Sequence, residues 1–202
     1  RHASVQTAHD TGSHRTGKLG AQGIADADRP IADLQGIAVA QFDRGQLQGD
    51  TKESTWSRGH AWMVYGMVVA YRYTKESRYL EYATSAADYF IEHLNADGIA
   101  PWDFQSDDRQ TDASASAIVA SALYEMSRYQ PKRKALHYRG WADRMLETLC
   151  SPDYFVGDKT DCLLDHSVQY YHLDHNVNRP AIFADYYFME ALYRYRSIHN
   201  RK

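Results

Sequence analysis

Two long connections between apolar segments, about residues 95–112 and 151–180, hold the side chains richest in chemistry. The first carries Trp102, Asp103 and Phe104, and the second His166, His172 and His175. Connections of that length in a compact domain are functional or disordered, and this content favours function. Asp103 suits either proton transfer in a cleft or the bracing of its own loop. Asp112, directly before an apolar helical run, suits a helix N-cap better than catalysis. The His172-Leu173-Asp174-His175 run offers metal donors, but no third ligand stands out. The early histidines His2, His9 and His14 lack ligand spacing. The expectation is therefore no metal, and no cofactor. Aromatic content is the larger signal: four Trp, sixteen Tyr and six Phe all fall at or after Phe42. Rings with a polar edge at that density suit the wall of a sugar-binding cleft, or helix packing with hydroxyls at the rim.

The elements that must position these groups are helical. Ala61–Tyr71 is apolar on every side and predicts a buried inner helix. The next run, to about Leu94, places Tyr79, Leu80, Ala83, Ala87, Phe90, Ile91 and Leu94 on one stripe and predicts an outer helix. The alternation repeats. Ala113–Met126 predicts an inner helix. Lys134–Cys150 predicts an outer one, with Leu136, Trp141, Met145 and Leu149 inward. Ala181–Tyr193 predicts an inner one again. Hairpins of this kind, repeating at about 60 residues, make an all-α chain and an α/α toroid of about five helices; five cannot close a ring of twelve, so either the ring is incomplete or the architecture is an open helical array. Residues 1–41 lack aromatics and sustained periodicity and predict a loop or disordered segment; residues 42–202 form the domain. The net charge of -3 argues against nucleic acid as a partner. Uncharged stretches such as Ala61–Tyr71 are too short to span a bilayer, and no signal peptide is visible. Cys150 and Cys162 read as free thiols rather than a disulfide framework.

Three stretches carry a resemblance. They are QGDTKESTWSRGHAWMVYG at 48–66, DGIAPWDF with TDASASAIVAS at 97–121, and LDHSV with RPAIFADYYFMEAL at 164–192. Together, over roughly residues 42–198, the chain resembles the C-terminal portion of the unsaturated glucuronyl hydrolases, glycoside hydrolase family 88. The resemblance implies an (α/α)6 barrel without a metal, cytoplasmic by family default. It also implies removal of a terminal 4,5-unsaturated glucuronyl residue from lyase-generated, glycosaminoglycan-type oligosaccharides. In that reaction a carboxylic acid protonates C4, water adds at C5, and the resulting hemiketal opens. By the same resemblance Gln48 hydrogen-bonds the sugar and Arg58 pairs with the uronate carboxylate, which its planar fork matches. Trp56 and Trp62 stack on sugar rings, the former only if it precedes the first helical turn. Asp185 and Tyr186 approach the substrate, and His166 and Ser167 shape the cleft. Gly59 and Gly66 mark close backbone approaches.

The family's two essential aspartates belong to helices N-terminal to everything matched. The catalytic residue is therefore unknown, with Asp103 and Asp112 as the candidates present. The match begins near Val39, and residues 1–38 read as the product of a frameshift, truncation or mis-called start. A truncated toroid is expected to expose inner-helix faces, to self-associate through them, and to lack turnover. The alternative is a non-catalytic helical sugar-binding or scaffold protein of the same fold; a sugar epimerase on an α/α toroid is the more distant reading.

Overall fold

The computed structural model describes residues 48–200, and the expectations for residues 1–41 lie outside the described residues. Five helices follow in chain order: α1 (Ser57–Thr74), α2 (Ser77–Glu92), α3 (Ala113–Met126), α4 (Lys132–Leu149) and α5 (Ile182–His199). Between α1 and α2 the chain reverses at Lys75, whose left-handed backbone lets its N–H reach the Tyr71 carbonyl at 2.9 Å. Pro131, which cannot continue a helix, stands immediately before α4.

The centre of the fold is α3. Its sequence, ASASAIVASALYEM, is mostly Ala and Ser, and all fourteen residues are buried. Side chains this short let three neighbours close in: α1 and α5 against it, and α4 as well. α2 lies chiefly against α1 and buries Ala83, Ala86, Ala87 and Phe90. This is the expected alternation of inner and outer helices.

Three expectations need correction. First, α1 is not enclosed. It buries Val64 and Val68 but exposes Trp62 and Gly66, because among the described residues it packs chiefly against α2 and α3. α5 likewise buries Ala184, Phe188 and Ala191 against α3 and leaves Ile182, Tyr186, Met189 and Tyr193 exposed. Second, the inward stripe of α4 is Ala135, Tyr138, Ala142, Met145, Leu146 and Leu149, so Leu136 faces solvent. Third, the 151–180 connection contains a two-stranded antiparallel hairpin, β1 (Ser167–Tyr170) and β2 (His175–Arg179). SVQY and HNVNR are short and polar, and carry no alternating pattern. What shapes the hairpin is left-handed backbone at Asp174, Asn176 and Asn178, residues that tolerate it best after glycine. Among the described residues no helix is long and apolar enough to cross a membrane, and Cys150 and Cys162 are free.

Candidate functional site

The site begins where α1 begins. Trp56 has an extended backbone and precedes the helix. A short antiparallel bridge to the 95–112 connection holds it there: the Ser57 N–H donates to the Trp102 carbonyl at 3.0 Å and the Phe104 N–H to the Thr55 carbonyl at 3.1 Å. The ring then folds back over the first turn. A Cβ at Gly59 would meet Trp56 Cε3 at 2.6 Å, so only glycine admits the indole there. Trp56 and Trp62 consequently meet edge to face, with centroids 5.7 Å apart. The condition for both indoles to share one surface is fulfilled. Gly66 meets nothing within 4 Å and marks no close approach among the described residues.

Arg58 lies under this aromatic corner and is only 3% exposed. Its guanidinium sits 4.8 Å from the Trp56 ring centroid and 5.0 Å from that of Phe183 at the start of α5. Its fork is engaged from within. Nη1 pairs with Asp112 Oδ2 at 3.1 Å and also donates to the Val168 carbonyl, while Nη2 donates to the Gln169 carbonyl at 3.1 Å. Nε is buried without a hydrogen-bond partner. Arg58 thus joins α1, α3, β1 and α5. The starts of three inner helices meet at it, and their N-terminal dipoles favour an anion nearby.

The two candidate acids are both enclosed. Asp112 caps α3, accepting from the Ser114 N–H at 3.1 Å and the Ser114 hydroxyl at 2.5 Å, besides its pair with Arg58. Asp103 braces the loop before α1. Its Oδ2 accepts from the Asp50 N–H at 3.0 Å and the Ser54 hydroxyl at 2.7 Å, and its Oδ1 from the Gln105 N–H at 2.9 Å. Asp185 also serves as a brace, accepting the Leu163 and Leu164 N–H groups at 2.9 and 3.0 Å. Tyr186, one residue on, is 61% exposed. Gln48 is half-buried beside Gly49, whose carbonyl accepts from His172 Nε2 at 2.8 Å. That bond, with the parallel stack of Tyr171 on Trp102 at 3.9 Å, pins the hairpin to the two loops before α1 and α3. The His172–His175 run is thus a fastening. His166, with left-handed backbone, gives its carbonyl to the Ala113 N–H at 3.0 Å and helps start α3.

His60, the remaining polar residue of the motif around Arg58, is buried among Phe90, Phe104 and Tyr89, with Nε2 against the Ala86 carbonyl at 2.8 Å. Burial lowers its pKa to about 4, against the opposing effect of that carbonyl, so it is neutral at physiological pH. Sequence reasoning missed Phe183, Tyr187 and Tyr65, which continue the wall between α5 and α1. The rings of Tyr65 and Tyr187 meet at 5.1 Å, and the Tyr65 hydroxyl donates to Glu190 Oε1 at 3.1 Å. Burial and Glu190 raise the Tyr65 pKa to about 12 and keep it a donor. The residues of α5 lay in a matched stretch, but which of two adjacent tyrosines turns inward depends on helix phase. The carbonyls of Val168 and Gln169 carry no sequence signal at all.

No family model matches the chain. An unsaturated glucuronyl hydrolase of Formosa agariphila is 37% identical over 158 residues, covering 75% of this chain and 39% of the relative. An unsaturated chondroitin disaccharide hydrolase of Streptococcus pneumoniae is 31% identical over 156 residues, 73% of this chain and 39% of the relative. Among solved structures, an unsaturated glucuronyl hydrolase specific for heparin superposes with a TM-score of 0.72 at 36% identity, covering 76% of this chain and 43% of that one. A mutant from Streptococcus agalactiae complexed with dGlcA-GalNAc6S gives 0.69 at 30% identity, covering 76% and 42%. The chain spans about two fifths of the length of the curated relatives it matches. Those neighbours share its α/α toroid architecture, and over about three quarters of its length the chain is homologous to part of the unsaturated glucuronyl hydrolases.

Proposed function

We propose that this chain forms one wall of the cleft of a glycosidase that removes a terminal 4,5-unsaturated glucuronyl residue from lyase-generated oligosaccharides. The observation that carries the reading is the corner of Trp56, Arg58, Trp62 and Phe183, where a buried cation lies beneath aromatic faces at the start of three inner helices. Indole faces suit the apolar faces of a sugar ring, and the positive helix ends suit its carboxylate. In this reading Gln48, Trp62 and Tyr186 contact the sugar, while Arg58 acts from beneath Trp56 and attracts the carboxylate through space. Protonation at C4 and water addition at C5 need a carboxyl group open to the substrate. Asp103 and Asp112 are fully buried and hold other partners, so in this reading neither supplies that acid.

That enclosure favours a second reading, in which the chain alone binds the sugar without turning it over. Self-association through the exposed stripe of α5 belongs to both readings. The test is incubation of the full chain with an unsaturated chondroitin disaccharide. Binding is followed by tryptophan fluorescence and turnover by loss of the C4=C5 ultraviolet absorbance. Binding with turnover supports the hydrolase as it stands. Binding with a flat absorbance trace supports the second reading. Absence of binding rejects the sugar-site assignment.

A further inference from the structure

The hydrogen bonds of Arg58 all fall on its two terminal nitrogens. Nη1 meets Asp112, the Ser114 hydroxyl and the Val168 carbonyl, and Nη2 meets the Gln169 carbonyl. Nε has no such partner, yet the residue is almost wholly buried. Rings shield what the polar groups do not. The guanidinium carbon lies 4.8 Å from the Trp56 centroid and 5.0 Å from that of Phe183. The two rings reach it by different routes. Trp56 is delivered by the start of α1 itself, folded back over glycine at 59. Phe183 comes from another helix, in the first turn of α5. That turn is held in place. The Ala184 N–H donates to the Ala181 carbonyl at 2.8 Å, and Asp185 takes the Leu163 and Leu164 N–H groups. Within it Ile182 is exposed and Ala184 and Asp185 are buried, so Phe183 is the residue of the turn that meets the cation. It is half-buried and stands between a buried cation and solvent. Asp112 offsets part of the charge of Arg58. What remains reaches a ligand only as far as water does not screen it, so a ring that keeps water off the guanidinium extends its pull.

We propose that Phe183 is a specificity-determining residue that acts through Arg58: its ring seals the guanidinium from water on the α5 side and so lets the wall discriminate a sugar that carries a carboxylate from one that does not. The discrimination rests on the sugar-site reading above; the seal does not. The ring also holds the cation by a cation–π contact, which fixes the guanidinium without competing for its N–H groups.

Two measurements on the full chain test it. The first follows hydrogen exchange of the Arg58 Nε–H by nitrogen-15 spectroscopy. Protection is expected in the parent, loss of it in Phe183→Leu, which keeps apolar bulk but removes the ring, and its return in Phe183→Tyr, which keeps the ring. Free exchange in the parent, or equal protection in the leucine variant, overturns the proposal whether or not any sugar binds. The second compares binding of an unsaturated chondroitin disaccharide with that of its methyl ester, which has the same shape and no charge at the carboxyl group. The parent is expected to prefer the acid. Phe183→Leu is expected to lower that preference about tenfold, the scale on which wetting a nearby charge changes its pull. The loss should fall on the acid while ester binding holds, and Phe183→Tyr should restore the preference. Equal weakening of acid and ester means that Phe183 only packs the wall, and overturns the proposal. A parent that binds both ligands equally well overturns the discrimination and leaves the sugar site standing. A parent that binds neither, while Arg58 exchange still responds to Phe183→Leu, rejects the sugar-site reading and the discrimination with it, but leaves the seal.

Discussion

Helices α3 and α5 both read as inner helices, yet α3 buries all fourteen of its residues while α5 leaves Ile182, Tyr186, Met189 and Tyr193 exposed. The difference lies in side-chain size and in neighbours. α3 is built of Ala and Ser and is packed by α1, α4 and α5. α5 carries Ala184 and Ala191 on the face toward α3 and large rings elsewhere. Small residues are stable inside only if something comes close to them, whereas tyrosine keeps its polar edge in water at little cost. Apolar content thus marks a helix as inner, but residue size marks which of its faces is enclosed.

The sharpest way to break the comparison is at the enclosed end of α3. Asp112→Ala removes the cap and leaves Arg58 buried without its counter-charge. Losing one partner of a buried pair costs about 3–5 kcal/mol. Urea unfolding is expected to show a loss of about 4 kcal/mol, with Asp112→Asn, which keeps an acceptor for the Ser114 N–H, losing less. A loss near zero for the alanine variant would mean that Arg58 swings out to solvent, and that the corner is less fixed than its contacts indicate.

Next in size is the core itself. Leu123→Ala on α3 empties a fully buried site and is expected to cost about 3 kcal/mol. Met189→Ala on α5 should stay within about 0.5 kcal/mol. Similar losses at the two positions, measured by the same unfolding experiment, would mean that α5 is covered in solution.

Enclosure also sets a titration. The folded pKa of His60, about 4, lies below the ordinary value of 6.5 because the ring is buried. The unfolded chain therefore binds the extra proton between those two values. Stability from this group is full above about pH 6.5 and is lost as pH falls toward 4, by at most about 3 kcal/mol. A stability–pH profile should slope upward through that window in the parent. It should flatten in His60→Gln, which retains a donor for the Ala86 carbonyl. An identical slope in both would assign the titration to another group.

Much of this was readable in the residues. The five helices appear where periodicity and small-residue runs place them, and WSRGHAW, PWDF and DASASAI lie together at one end of the fold. The N-cap at Asp112 followed from its place before an apolar run. What was not readable depended on backbone conformation and on helix phase. The β1–β2 hairpin rests on left-handed Asp174, Asn176 and Asn178, which no hydrophobic pattern signals. The engagement of Arg58 by the carbonyls of Val168 and Gln169 depends on atoms that every residue has. The inward ring of the Tyr186–Tyr187 pair was decided by a rotation of about 100° per residue, finer than sequence matching resolves.

The smallest expected effect on folding falls on the open face of α5, and it is the most informative about assembly. Met189 and Tyr193 lie a turn apart on that face, both more than half exposed, and neither supports α3. Replacing both by serine should leave monomer stability within about 0.5 kcal/mol per site. The same change removes apolar surface from the stripe through which self-association is proposed. Sedimentation velocity over a range of concentrations is expected to show the parent associating and the double variant shifted toward monomer. If the parent sediments as a monomer throughout, the stripe is not an interface between copies. If both associate alike, the contact lies elsewhere, and the exposed flank of α1 around Trp62 and Gly66 is the next surface to alter.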